Sequence, residues 1–97
     1  MVLESQGAGR TPFATIGVAS ALILAPMRSR KGILFINDSS NLIYLSRVDP
    51  AVIGSGIRLN PNGGWYEEPN NRFMVWTGPW YAIATVAGSN LCINEDW

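Results

Sequence analysis

The feature that most constrains this chain is the close spacing of its turn signals. Clusters of Gly, Pro, Asn, Asp and Ser interrupt the sequence before any segment becomes a long amphipathic helix. The segments between them are rich in β-branched and aromatic residues, which favour strands. Because parallel strands need long crossover connections, such short connections predict antiparallel neighbours. The main turn signals are at residues 38–41, 60–64, 77–79 and 88–90.

The apolar runs between these turns predict about eight short strands. Residues 13–25 largely alternate large and small side chains, which predicts one long strand or two short ones. Residues 31–37 form a continuous apolar run whose two faces must both be covered, which predicts a central strand. Residues 42–46 are expected to be its hairpin partner. The other predicted strands are at residues 57–59, 65–68, 73–76, 80–87 and 91–94.

The 97 residues fit a single domain preceded by an arm. Residues 1–12 have low apolar content and contain Gly7, Gly9 and Pro12, so we expect a flexible N-terminal arm. Residues 13–97 are then one domain. The uncharged segment at residues 11–27 is shorter than the roughly 20 residues of a membrane-spanning helix, and its alternation favours a strand. We therefore expect no membrane association.

The chain carries few charges for a domain of its size. Charged residues make up 14% and hydrophobic residues 47% of the sequence, whereas charged residues average about 25% in globular proteins. A small domain has a large surface to solvate, so this deficit predicts that another chain covers part of it. The formal net charge is zero, so we expect no nucleic-acid partner, because such a partner favours a basic face.

The residue types needed for catalysis are scarce. Histidine is absent, which removes the usual general base and the commonest metal ligand. Lys31 is the only lysine and begins a predicted central strand. Glu67 and Glu68 are adjacent, so on a strand they point to opposite faces and cannot flank one substrate bond. Cys92 is the only cysteine and is expected to act as a small hydrophobe. We expect no enzymatic activity, cofactor or metal.

The aromatic residues of the second half are more informative. Trp and Tyr are enriched at protein interfaces, they can stack on sugar rings, and they also fill cores. We expect about half of them to be core residues. The arm and the terminal Trp97 are expected to contact a neighbour, and Trp65 and Tyr66 lie beside the predicted Asn-Gly-Gly turn. The residues expected to form protein interfaces are Val2, Leu3, Phe13, Trp65, Tyr66 and Trp97.

Several strand and turn motifs follow one another in a familiar order. Residues 30–40 (RKGILFINDSS) and 42–45 (LIYL) are followed by GIRL at 56–59, the Asn-Gly-Gly turn, WYAI at 80–83 and LCINE at 91–95. This pattern, over about residues 30–95, resembles a group of small virion proteins of tailed bacteriophages. The resemblance implies a β-sandwich that decorates or cements a capsid, or that serves in the neck, tail or fibre apparatus.

The combined expectation is an all-β, jelly-roll-like antiparallel β-sandwich of about eight short strands with an extended N-terminal arm. As function we expect a non-enzymatic capsid cement or decoration protein, located in the virion. Its partners would be the major capsid protein or other virion proteins, and its own oligomeric state a trimer. The alternatives are an accessory protein of the neck, tail or fibre and, from a different class, a carbohydrate-binding module.

Overall fold

The computed structural model describes residues 7–71 and 73–97, and in these ranges the chain forms strands and turns without a helix. The strands follow the turn spacing of the sequence. They are β1 (Gly9–Arg10), β2 (Phe13–Ile16), β3 (Ala21–Leu24), β4 (Gly32–Asn37), β5 (Ile43–Ser46), β6 (Ile57–Leu59), β7 (Trp65–Glu68), β8 (Trp80–Ala84) and β9 (Ser89–Asp96).

The strands form two antiparallel sheets packed face to face, which confirms the predicted all-β sandwich. In the first, sheet I, β9 and β4 are central and β7 is one edge. The other edge consists of β1 and β2, which lie end to end along β9. In the second, sheet II, the strand order is β3-β8-β5-β6.

The order of strands along the two sheets is that of a jelly roll. From β2 to β9 the chain crosses to the opposite sheet at every connection except the one between β5 and β6. The turn at residues 38–41 therefore leads from β4 in sheet I to β5 in sheet II. The prediction that residues 31–37 and 42–46 form a hairpin is wrong for this reason. A two-sheet crossing and a hairpin use the same turn residues, so composition did not distinguish them.

The core lies between the sheets and is built on residues that alternate along each strand. Trp80 of β8 is fully buried and packs edge-on against Phe35 of β4, with ring centroids 5.1 Å apart. Ala82 and Ala84 follow Trp80 on the same face and are also buried. Small side chains beside a large ring leave it room without a void, as the high packing density of interiors requires. Tyr66 of β7 contacts the same Trp80 ring from sheet I.

A buried asparagine fastens the sandwich where β4 ends. The Asn37 side-chain amide donates to the backbone oxygens of Asn41, at 2.7 Å, and Leu59, at 3.0 Å, and its oxygen accepts from Ser39 Oγ. These bonds tie the end of β4 in sheet I to the start of β5 and the end of β6 in sheet II. The predicted turn at residues 60–64 is present, and both Asn62 and Gly63 have positive φ there.

Other strand predictions differ from the structure in extent. Residues 13–25 form two short strands, β2 and β3, which is one of the two predicted alternatives, and these strands belong to different sheets. Residues 73–76 are not a strand, because this segment packs across one end of the sandwich through polar contacts described below. The strand predicted at 80–87 ends at Ala84, and the last strand is longer than predicted, from Ser89 to Asp96.

The predicted arm, residues 1–12, falls partly outside the described residues, which begin at Gly7. Gly9 and Arg10 form β1, opposite Asp96 and Glu95 of β9. The Ala8 and Trp97 backbones also exchange two hydrogen bonds of 2.7 and 2.8 Å. The described part of this segment is therefore a continuation of the sheet edge, in line with β2.

We predict that Leu45→Ala lowers the free energy of unfolding by about 2–5 kcal/mol, because it leaves a cavity between the sheets. Leu45 is fully buried, whereas Val48, three residues later, is largely exposed. Val48→Ala is the control and is expected to change stability by less than about 0.5 kcal/mol. Urea unfolding followed by tryptophan fluorescence measures both. Equal effects of the two substitutions would contradict the assignment of the core.

Candidate interaction surface

An apolar row crosses the outer face of sheet I from edge to edge. The strand registers place Phe13 of β2 opposite Cys92 of β9, Cys92 opposite Ile36 of β4, and Ile36 opposite Trp65 of β7. All four side chains point away from the core, since their sequence neighbours Ala14, Leu91, Ile93, Phe35 and Tyr66 pack on the inner side. We call Phe13, Cys92, Ile36 and Trp65 the apolar row.

The two ends of the apolar row are exposed aromatic rings. Phe13 is 72% and Trp65 62% exposed, whereas Cys92 and Ile36 between them are half-buried. With strands about 4.8 Å apart, the two aromatic positions are separated by roughly 14 Å. Leu34, two residues before Ile36 on the same face, widens the row on β4. A contiguous apolar surface of this kind is typical of an interaction site.

Polar side chains border the apolar row on both sides. Asn90 and Asp38 lie beyond the row in one direction, and the Asn90 amide donates to an Asp38 carboxylate oxygen at 3.4 Å. In the other direction Glu67 follows Trp65 on the same face of β7, and Asn94 lies opposite Leu34. An apolar centre with a polar rim is the usual composition of a protein interface.

The structure separates the residues predicted to form interfaces. Phe13 and Trp65 lie on the same face, in one row. Tyr66 is half-buried and points into the sandwich, where its ring contacts Trp80, so it does not lie on the face that carries Trp65. Trp97 is half-buried beside Ala8. Val2 and Leu3 lie outside the described residues.

Sequence reasoning missed Ile36 and Cys92 as parts of this surface. The signal was present in residues 31–37, where an uninterrupted apolar run predicts a strand covered on both faces. The strand is central, as predicted. Within the described chain, its inner face is buried by sheet II, but the outer-face residues Leu34 and Ile36 are only half-buried. The remaining apolar surface of β4 forms part of the candidate interface.

A buried ion pair closes the sandwich at the end where β4 begins. The Arg30 and Glu95 side chains are both fully buried, and Arg30 Nε donates to Glu95 Oε2 at 2.8 Å. Arg10 Nε donates to the other Glu95 oxygen at 2.8 Å. The remaining Arg30 nitrogens donate to the backbone oxygens of Ala25, Trp76 and Gly78. Arg30 thereby fixes two loops against β9.

A second buried carboxylate lies nearby on β7 and joins the two sheets. Glu68 pairs with Arg47, which follows β5 of sheet II, and accepts hydrogen bonds from the Tyr66 hydroxyl and the Trp76 backbone N–H, each at 2.7 Å. The Arg47 guanidinium also lies over the Phe73, Trp76 and Trp80 rings at 5.3–5.6 Å. Burial raises the pKa of the Tyr66 phenol above its usual 10.0, and the hydrogen bond to the Glu68 carboxylate raises it further.

The buried carboxylates of Glu68 and Glu95 hold parts of the fold together. Glu67 is exposed on the outer face and Glu68 is buried on the inner face, as the sequence predicts for adjacent strand residues. Glu68 and Glu95 each have arginine partners. Among the residues the structure describes, no three His, Cys, Asp or Glu side chains are grouped as a metal site would require.

Two further surfaces expose apolar residues. An open cleft of about 340 Å³ lies between the free edges of β6 and β7, with Leu45, Ile57, Tyr66 and Phe73 among its walls. The loop at residues 47–56 connects β5 and β6 and contacts the residue before β3, where the Ala51 N–H donates to Ser20 Oγ at 2.7 Å. Its Val48, Val52 and Ile53 side chains are exposed. Neither surface includes the predicted Phe13 or Trp65.

Comparison with known proteins gives no relative for this chain. No protein-family model, no curated protein and no solved structure matches it. A search of the described residues also finds no helix long and apolar enough to cross a membrane.

We predict that Glu95→Gln lowers the free energy of unfolding by about 3–5 kcal/mol, because it leaves the buried Arg30 charge without a counter-charge. The control is Glu67→Gln, which makes the same chemical change on the exposed outer face and is expected to alter stability by less than about 0.5 kcal/mol. Thermal unfolding by circular dichroism compares the two. If both substitutions change the free energy of unfolding by a similar small amount, Glu95 does not stabilise the fold as predicted.

We predict that Tyr66 ionises above pH 10. The folded protein keeps a proton that the unfolded chain loses near its ordinary pKa of 10.0. The stabilisation from this phenol is therefore complete below pH 10 and is lost as the pH rises through the raised pKa. The tyrosinate absorbance of the wild type minus that of Tyr66→Phe, followed against pH, isolates this titration. A midpoint at or below pH 10 would contradict the burial of the phenol.

Proposed function

We propose that this protein is a non-enzymatic structural protein of a tailed-phage virion, a capsid decoration or cement protein that binds other virion proteins through the outer face of sheet I. The observation that carries the proposal is the apolar row of Phe13, Cys92, Ile36 and Trp65 across that face. A solvent-exposed row of this length is costly to leave uncovered, and burying it against a partner is favourable.

Two further features support a structural role. The charged fraction of 14%, against an average of about 25%, leaves few charged side chains to solvate the surface. The fully buried Arg30–Glu95 pair and the pair of Arg47 with the buried Glu68 stabilise one end of the sandwich, and the Asn37 hydrogen bonds stabilise the other. A rigid sandwich with one apolar face can dock without paying a large ordering cost, which favours tight binding.

The position of the protein in the particle follows from copy number. A decoration protein that covers the shell is present in many copies, whereas an accessory protein of the neck, tail or fibre is present in few. Quantitative mass spectrometry of purified particles against the major capsid protein distinguishes the two. A trimer is our proposed oligomeric state, and light scattering coupled to size-exclusion chromatography tests it.

A carbohydrate-binding module is the second candidate, favoured by one observation. Phe13 and Trp65 present two exposed aromatic rings on one flat sheet face, and such rings can stack on sugars. The centre of the row, Ile36 and Cys92, is poor in the donors and acceptors that sugar hydroxyls require. A glycan array with reproducible hits that Trp65→Ser abolishes would favour this candidate over the first.

We predict that Phe13→Ser and Trp65→Ser, combined, weaken binding to phage heads that lack this protein by about a hundredfold or more, since exposed aromatic anchors dominate interface energies. The control is Val86→Ser, because Val86 is similarly exposed but lies in the β8–β9 turn. Co-sedimentation with purified heads measures binding, and circular dichroism confirms that the variants fold.

Alkylation of the single cysteine provides an independent measurement of the same contact. Cys92 lies in the middle of the apolar row. Its rate of alkylation by a maleimide should fall when the protein is bound to heads. Unchanged binding by the double variant, together with an unchanged alkylation rate of the bound wild type, would rule out this face as the docking surface.

A further inference from the structure

We propose that the partner surface for the outer face of sheet I is basic: an apolar patch bordered by lysine or arginine side chains. This inference rests on the proposed function, because it specifies the partner of the same face. It is carried by the placement of three carboxylates around the apolar row. Each carboxylate can be assigned to the outer face from its contacts.

Asp38 lies on one side of the apolar row. Its carboxylate is 3.4 Å from the Asn90 amide, and Asn90 points outward like Cys92, two residues later on β9. Glu67 lies on the other side of the row, two residues from Trp65 on the same face of β7, and is exposed. The row therefore has a carboxylate on each flank.

Asp96 extends the acidic border toward the end of the sheet. Its register position is opposite both Gly9 and Gly32. A Cβ added at Gly32 would be 3.2 Å from one Asp96 carboxylate oxygen, and a Cβ added at Gly9 would be 2.8 Å from the other. Gly32 occupies an outward position of β4, in line with Leu34 and Ile36. The Asp96 carboxylate thus lies over the outer face between two glycines.

None of these three carboxylates forms an ion pair within the described chain. The ion pairs found there use Glu68 and Glu95, not Asp38, Glu67 or Asp96. Among the described residues, the basic group near the face is Lys31, whose Nζ is 4.0 Å from the Cβ position of Gly7 at the end of the sheet. In this part of the chain the face therefore carries three carboxylates and one lysine.

The basic residues outside these ion pairs lie mainly elsewhere in the described chain. Arg58 of β6 is exposed on sheet II, and Arg28 is exposed in the connection between β3 and β4. The charges are therefore distributed unevenly over a chain whose formal net charge is zero. Such a distribution orients the molecule as it approaches a charged partner.

This charge pattern selects among possible occupants of the face. A second copy docked face to face would bring carboxylates near carboxylates on both flanks, and like charges across an interface are unfavourable. Phosphates of a nucleic acid or an anionic membrane would be repelled for the same reason. A protein surface with lysine or arginine around an apolar centre satisfies both the row and its border.

The test compares the wild type with a variant in which Asp38→Asn, Glu67→Gln and Asp96→Asn are combined. These changes remove the charges and keep the shapes of the side chains. We expect the variant to bind phage heads about tenfold more weakly at low salt, mostly through slower association, and to lose the salt dependence seen for the wild type. Asp49→Asn is the matched control, because Asp49 is exposed in the loop between β5 and β6, strands of sheet II.

A second arm does not depend on phage heads. Amide NMR shifts of the full chain are followed during titration with a synthetic peptide that alternates lysines with apolar residues, and with the same peptide carrying glutamates in place of lysines. We expect the basic peptide to shift the amides of β2, β4, β7 and β9, and the acidic peptide to leave them unchanged. The triple variant should lose the response to the basic peptide.

The outcomes separate this inference from the proposed function. If heads bind through Phe13 and Trp65 while removing the three charges leaves affinity unchanged or increases it, the proposed function stands and the basic partner is ruled out. If heads do not bind but the basic peptide binds the face, the partner chemistry stands and the proposed function fails. If neither heads nor the basic peptide binds, both are overturned.

Discussion

One end of the sandwich is closed by a chain of alternating charges that runs through the backbone of a single residue, Trp76. Arg10 and Arg30 bind Glu95, the Trp76 carbonyl accepts from Arg30, and the Trp76 N–H donates to Glu68, which pairs with Arg47. The Trp76 carbonyl oxygen thus faces the Arg30 cation, and the Trp76 N–H faces the Glu68 carboxylate. Each buried charge is therefore compensated by a neighbour, which is the condition under which burial of ions is tolerated.

This network makes the outer face of sheet I possible. It fixes the C-terminal half of β9 and the last residue of β7, the strands that carry Cys92 and Trp65. The register of these strands around β4 places four apolar side chains in one row, and a shift by one residue would turn every one of them toward the other face. The surface is therefore a property of the register, which the buried charges and the core maintain together.

The sequence predicts local structure here better than it predicts long-range pairing. Turn residues and alternation are local, and they correctly indicate strands at 57–59 and 65–68 and a sandwich of about this strand number. The partner of each strand depends on contacts between residues that are far apart in sequence. The sequence alone therefore predicts the wrong neighbour for β5. The pairing of Arg30 with Glu95 and the alignment of Phe13 with Trp65 have the same long-range origin. The sequence predicts Phe13 and Trp65 as separate interface residues. That they belong to one row is seen only from the registers of the strands between them.

The pairing of β1 and β2 with β9 has a consequence for folding during synthesis. Phe13 pairs with Cys92 and Gly9 with Asp96. The first described strands, β1 and β2, therefore cannot pair until β9 has been synthesised. Sheet I can acquire its central β9 only after the ribosome has released that strand, and folding is expected to be slow because nearly every pairing is non-local. Until then β2 lacks its strand partner and β4 has only β7 beside it, so the nascent chain exposes unpaired strand edges to other chains.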